Sequence, residues 1–166
     1  ARLDQGTASS VAGLMAGLTV VVTAGPTREL IDPVRFVSNR SSGKMGFAVA
    51  RAAAEAGARV ILVAGPVHLP TPAGVERHDV ETAEEMYRTT LDLIGGADIY
   101  IGAAAISDYR PREIAVHKIK KKTETLTLEM TKSPDLLATV ARLPQRPFTV
   151  GFAAETEKLE EHARLK

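Results

Sequence analysis

A doubly wound, mostly parallel α/β sheet with a small added β element is the fold this sequence predicts, and three observations predict it. The runs LTVVVT (18–23), RVILVAG (59–65) and DIYIGAAA (98–105) are continuously apolar and rich in β-branched residues, as strands buried on both faces are. Helix-period segments alternate with the strands along the chain, which implies right-handed parallel crossovers. The chain has 166 residues and 45% apolar composition, enough for one sizeable core.

Taken in order, LTVVVT is the first strand. KMGFAVARAAAEAGA follows a polar loop and places Met45, Val49, Ala52, Ala53 and Ala56 on one helical stripe, with Gly57 where the helix should stop. RVILVAG is the second strand, closed by the proline-rich turn PVHLPTPAG, and VERHDV (75–80) is a shorter third. Thr82 and Glu85 have capping-box spacing ahead of a helix through Ile94. DIYIGAAA is the fourth strand. Beyond residue 106 the pattern loosens into SDYRPREIAVHKIKKK, and TLTLEM (125–130) alternates as an added strand. Ser133 with Pro134 reads as a helix N-cap and first turn, the helix running through Ala141. PFTVGF (147–152) is the last strand, and Thr156 can cap a final helix.

Composition narrows the function. The formal charge is +1 and aromatics total 4%, so neither a strong cationic field nor interleaved aromatics favour a nucleic-acid partner. No apolar run reaches the roughly 18 residues of a membrane span. The chain has no cysteine, so disulfides and thiolate catalysis are excluded and a reducing, cytoplasmic setting is expected. No His/Asp/Glu group has metal-ligand spacing, so any divalent ion is expected to arrive with a nucleotide phosphate.

In a doubly wound sheet ligands bind beyond the carboxyl ends of the strands, which directs attention to the loops there. SNRSSGKMG (38–46) lies between a strand and a helix, where backbone amides and the helix N-terminus attract an anion. Gly43 and Gly46 leave room for a phosphate to approach, Lys44 adds charge, and Ser41 and Ser42 offer hydroxyls. The stretch is neither a Walker A loop, which needs glycine at Ser38 and Ser or Thr at Met45, nor a G-x-G-x-x-G fingerprint. A polar loop ahead of a helix start fits it as well. The connection TAGPTRELIDPVRFVSN is long for its type, as functional loops are. Asn39 can hold a carboxylate or stabilise an oxyanion, and Arg28 and Arg35 can grip a second anion. GAAAISDYR brings small residues to a strand end, with Asp108 as either a ligand acceptor or a turn cap. HKIKKK (117–122) is either phosphate-neutralising or a solvated face, and Phe152 is either a base-stacking ring or core.

Together, TAGPTRELIDPVRFVSNRSSGKMGFAVA, VAGPV followed by LPTP, GAAAISDYRP, KIKK and VGFAAET resemble the phosphopantothenate–cysteine ligase domain of bacterial bifunctional coenzyme A biosynthesis proteins. The likeness runs from about Leu18 to the end of the chain. It implies a Rossmann-like fold, a homodimer, and CTP-dependent joining of 4′-phosphopantothenate to L-cysteine through an acyl-cytidylate, releasing pyrophosphate and CMP, with Mg²⁺ escorting the triphosphate. By the same resemblance Ser41, Ser42, Gly43, Lys44, Met45 and Gly46 form the triphosphate loop. Asn39 holds the acyl-cytidylate and assists attack by cysteine, and Lys118 stabilises charge as that intermediate forms. Gly102, Asp108, Pro134, Asp135, Leu136, Leu137 and Phe152 surround the nucleotide, and Lys166 meets its phosphates. Arg35, Ala104 and Ala105 border the phosphopantothenate. Residues 1–17 are then expected to be a linker or leader, and 18–166 the ligase domain, incomplete at its C-terminal side. A flavin-dependent (FMN) decarboxylase half is expected upstream. The alternative on such a fold is an NAD(P)-dependent oxidoreductase, which the missing glycine fingerprint and the lack of an acidic residue ending RVILVAG disfavour.

Overall fold

A computed structural model describes residues 11–121 and 124–152. Five strands form one parallel sheet: β1 (Thr19–Ala24), β4 (Arg59–Ala64), β5 (Val75–Asp79), β6 (Ile99–Gly102) and β9 (Phe148–Gly151). Two short antiparallel ribbons flank it, β2 (Arg28–Leu30) with β3 (Phe36–Ser38), and β7 (Tyr109–Pro111) with β8 (Met130–Lys132). The helices are α1 (Lys44–Glu55), α2 (Ala83–Leu93) and α3 (Leu136–Ala141). The main sheet runs β5-β4-β1-β6-β9, so the chain winds outward first to one side of β1 and then to the other. The doubly wound expectation is met.

The apolar runs lack alternation because both faces of β1 and β4 are covered. Val20, Val22, Ala24, Val60, Leu62 and Ala64 pack with Phe47, Ala50 and Ala53 of α1. Val21, Ile61 and Val63 face Met86, Ile94, Tyr100, Leu136 and Val140 on the other side. The β4–β5 connection carries no helix. Val67 and Leu69 of that loop pack onto the α1 side instead.

Helix α1 was expected to bury Met45, Val49, Ala52, Ala53 and Ala56; Ala53 and Ala56 are buried, but the rest of the stripe is rotated. Its buried residues are Gly46, Phe47, Ala50 and Ala53, whereas Met45 is 50% exposed. The reason is close approach, since a Cβ on Gly46 would lie 2.5 Å from the Ala24 Cβ. Gly57 ends the helix in the left-handed region, at φ 95°. The Gly57 and Ala58 N–H groups donate back to the Ala54 and Ala53 carbonyls at 2.9 and 3.1 Å, a Schellman arrangement. The capping box is present at α2, where Glu85 N–H donates to Thr82 Oγ1 at 3.1 Å.

Two other expectations shift. The added strand is Met130–Lys132 rather than 125–130, because those are the residues that pair with Tyr109–Pro111. The cap of α3 is Asp135, whose carboxylate accepts the Ala138 N–H at 2.9 Å, rather than Ser133. Residues 11–17 also take part in the fold, with Gly13 and Met15 donating to the Ala56 carbonyl at 3.1 and 2.9 Å. The final helix expected after Thr156 lies outside the described residues.

Candidate active site

The order of winding changes sense between β1 and β6, and there the loops leaving the two strands run side by side before diverging. Ala103 N–H donates to Thr23 O at 3.0 Å, Ala105 N–H to Gly25 O at 2.8 Å, and Thr27 N–H to Ala105 O at 3.3 Å. The buried Thr27 hydroxyl accepts the Ser107 N–H at 3.0 Å. Such a crevice at the carboxyl end of a sheet is where doubly wound proteins bind ligands.

Asn39 reaches across it. Its Nδ2 donates to the Ala105 and Ile106 carbonyls at 3.3 and 3.1 Å. Carbonyls can only accept, so the orientation of the amide is fixed and Oδ1 is the end left for a ligand. The group held at this position can therefore accept from an amine or hydroxyl, and it is not placed to donate to an oxyanion. Ala104 and Ala105 belong to the loop that follows β6, and Ala105 supplies one of the two carbonyls.

The start of α1 forms the adjoining wall. Gly43 is its N-cap at φ 72°, with no side-chain cap. Its amide meets Ser41 Oγ at 3.3 Å and the Lys44 amide meets Ser42 Oγ at 3.5 Å. The glycines also meet packing demands of their own. A Cβ on Gly43 would lie 3.0 Å from a Val67 methyl and 3.3 Å from the Gly25 Cα, and Gly46 abuts Ala24. Both are required by packing, and that packing brings the helix start down onto the crevice. Lys44 and Met45 remain exposed, and Lys44 lines an apolar groove with Phe47, Arg51 and Leu69.

On the far side β6 and β9 end together, Gly102 opposite Gly151, and Phe152 N–H donates to Gly102 O at 3.1 Å. Phe152 is 50% exposed, so the ring belongs to the surface beside the crevice and not to the core. Leu137 occupies the space both glycines leave, its methyls within 2.5 Å of a Cβ built on Gly151 and 3.3 Å of one on Gly102. Leu136 is only 2% exposed and sits among the core residues, so its side chain belongs to the helix–sheet interface. Pro134 and Asp135 stay near the surface, although Asp135 is committed to capping α3. Asp108 is exposed, and its backbone carbonyl accepts the Ser133 N–H at 2.8 Å. Lys166 lies outside the described residues.

Arg28 and Arg35 do not grip one anion together. Arg28 lies over the Phe36 ring at 4.8 Å and lines a cleft with His68, Arg77 and Glu81. Arg35 is bound to Asp32, through Nε at 3.0 Å and through Nη2, and Nη2 also donates to the Ile119 carbonyl at 2.9 Å. Among the described residues Nη1 carries no such bond, so it is the edge available to a substrate anion. Lys118 is the exposed neighbour of Ile119.

The sequence reading missed three buried polar residues that build this site: Thr27, Glu29 and Asp32. Glu29 accepts the Ala83 N–H at 3.0 Å and ties the hairpin to α2. Asp32 had a local signal, because Asp followed by Pro favours an Asx turn, and Asp32 Oδ1 accepts the Val34 and Arg35 N–H groups at 2.9 Å each. The Asp32 carboxyl is held well below its ordinary 3.8, first by the Arg35 side chain against the cost of burial, then by the Ile119, Val34 and Arg35 amides. Its folded pKa is the lower one, so this contribution to stability is complete above about pH 4 and is lost as pH falls below it. Urea midpoints measured between about pH 5 and 2.5 should fall more steeply for the wild type than for Asp32→Asn. Equal slopes would remove Asp32 from the acid response.

Among the described residues no helix is long and apolar enough to cross a membrane, and no group of three His, Asp or Glu residues could hold a metal ion.

The chain is similar to several known proteins. The coenzyme A biosynthesis bifunctional protein CoaBC of Vibrio cholerae is 55% identical over 156 residues, covering 92% of this chain and 39% of the relative. The CoaBC proteins of Escherichia coli K12 and Bacillus subtilis are 54% and 46% identical over 153 residues each. The chain thus spans about two fifths of the length of these curated relatives. The crystal structure of the C-terminal domain of a CoaBC protein superposes with a TM-score of 0.82 at 41% identity, over 93% of this chain and 74% of that one. A Cab2 mutant in complex with phosphopantothenate-cysteine shares the fold at a TM-score of 0.72 and 16% identity, over 86% of this chain and 65% of that one. Residues 15–166 match the family described as the DNA/pantothenate metabolism flavoprotein C-terminal domain, and the chain belongs to that family.

Proposed function

We propose that this domain joins 4′-phosphopantothenate to L-cysteine at the expense of CTP, as a step of coenzyme A biosynthesis. The observation that carries the reading is the meeting of the β1 and β6 loops, where Asn39 donates to two carbonyls beside the start of α1. Family membership and the names of the relatives support it.

In the first step the phosphopantothenate carboxylate attacks the α-phosphorus of CTP, and the bond to the β-phosphate breaks to release pyrophosphate. The α1 amides, Ser41, Ser42 and Lys44 would carry the triphosphate, and Lys118 would offset charge as the acyl-cytidylate forms. In the second step the cysteine amine attacks the acyl carbon, the bond from that carbon to the phosphate oxygen breaks so that CMP leaves, and the amine's proton passes to water. Asn39 Oδ1 would accept a hydrogen bond from that amine and orient it. Arg35 Nη1, Ala104 and Ala105 would border the phosphopantothenate, and Gly102, Asp108, Pro134 and Phe152 the nucleoside. Mg²⁺ would reach the site on the triphosphate, which suits a site with no metal-holding carboxylate cluster among the described residues. Lys166 belongs to the same proposal as a phosphate contact.

A homodimer in a cytoplasmic setting, with an FMN-dependent decarboxylase domain upstream, completes the proposal. Dimerisation is supported by apolar side chains left exposed on the two ribbons and their loops: Val34, Phe36, Tyr109, Ile114, Val116 and Leu126.

Thermal unfolding with Mg²⁺ and CTP, beside ATP and NADPH, tests the reading. CTP at about 100 times its dissociation constant should raise Tm by roughly 5–11 °C, and Lys44→Ala should abolish most of the rise. Pyrophosphate release should then require phosphopantothenate. A shift with NADPH and none with CTP would restore the oxidoreductase alternative.

A further inference from the structure

A run such as HKIKKK would ordinarily be a solvated loop, yet one residue within it is held by both its backbone groups. Asp32 accepts the Ile119 N–H at 3.1 Å, and Arg35 Nη2 donates to the Ile119 carbonyl at 2.9 Å. The Asp32 side chain is fully buried and already satisfied by Val34, by the Arg35 amide and by the Arg35 guanidinium. The pair is therefore a preformed socket, not a contact made in passing. A second tie lies four residues earlier, where Ala115 N–H donates to Ile31 O at 3.0 Å. Both ties start from the turn at 31–35, which continues directly through β3 to Asn39.

We propose that Asp32 and Arg35 are positioning residues that hold Lys118 in register with Asn39 before substrates bind. The role presupposes the CTP-dependent ligase reading. A lysine on a free loop samples many positions, and fixing the peptide beside it keeps its ammonium near the charge it must offset. The chain brings its two chemically active polar segments together through Ile119 and not through either active side chain. Substitution at Asp32 should therefore act through Lys118.

The test uses the intact protein that contains this domain. Asp32→Asn should raise tryptic cleavage after Lys120 and Lys121 of the folded protein by about tenfold, with a smaller effect at surface lysines elsewhere. It should lower kcat for phosphopantothenate-dependent pyrophosphate release by about tenfold, and should add little to the defect of Lys118→Ala. Ile119→Pro, which removes the N–H that Asp32 accepts and also restrains the backbone at Lys118, should raise the same cleavage if Asp32→Asn fails to fold. Unchanged cleavage in both variants overturns the socket. An equal loss of kcat in the wild-type and Lys118→Ala backgrounds overturns the positioning role, because the effect would then be general. If the wild-type protein releases no pyrophosphate, the ligase reading fails, while the cleavage arm still decides whether the socket exists.

Discussion

Gly65→Ala is expected to destabilise the domain by about 3 kcal/mol, near the upper end for overpacking. A Cβ built on Gly65 lies 1.8 Å from the Pro26 carbonyl oxygen and 2.8 Å from its carbon. Both are backbone atoms, so no rotamer change relieves the clash. Gly65 is also pinned from behind, its N–H donating to Ala24 O at 2.9 Å. Either β4 must slip against β1 or Pro26 must move. Pro26 bridges to Ala105, so its movement would disturb the paired loops on which Asn39 rests. Urea unfolding should show a lower midpoint with an unchanged slope, together with weaker CTP binding. Gly95→Ala is the matched control, because its Cβ would meet nothing within 4 Å. It should be neutral or stabilising by up to about 1 kcal/mol. A Gly65→Ala variant as stable as Gly95→Ala would show that the β1–β4 end is plastic.

Asn39→Asp should cost about 10²-fold in kcat for the ligation, the scale of losing the orientation of a reacting group. The substitution changes one atom type and almost no volume. Asn39 meets Ala105 and Ile106 with an N–H₂ group, whereas a carboxylate presents two acceptors to two carbonyls. Both hydrogen bonds would become repulsions, and the side chain would leave the crevice. Because the Asn39 side chain is exposed, Tm should fall little, which separates this effect from that of Gly65→Ala. Asn39→Ala loses the bonds without the repulsion and should retain more substrate binding than Asn39→Asp. Steady-state kinetics on both variants decides the matter, and a kcat within about threefold of wild type for Asn39→Asp would remove Asn39 from the chemistry.

The central sheet was legible because its signals are local. β1 and β4 are buried on both faces, and nothing but an unbroken apolar run satisfies that environment. The Thr82–Glu85 box and Gly57 were legible for the same reason, since each closes hydrogen bonds within a few residues. The loops expected to hold the site do end on one edge of the sheet, a consequence of parallel winding that the order of the elements already implied.

What escaped the sequence depends on distant partners. The ribbons β2–β3 and β7–β8 have three residues per strand, too short for periodicity to register, and their limits are set by pairing alone. The face of α1 was misjudged because glycine counts for nothing on an apolar scale, yet Gly46 marks the closest contact with the sheet. Leu136 and Leu137 look alike in sequence, and only the α3–sheet interface makes one core and the other a filler between Gly102 and Gly151. Asp32 gives the largest contrast. Its turn with Val34 and Arg35 is local and readable, but its burial and its bond to Ile119, 87 residues away, arise only when the hairpin closes on the lysine loop. Local rules thus set which strands, helices and caps form, while tertiary contact decided which polar side chains are buried and which remain to meet a substrate.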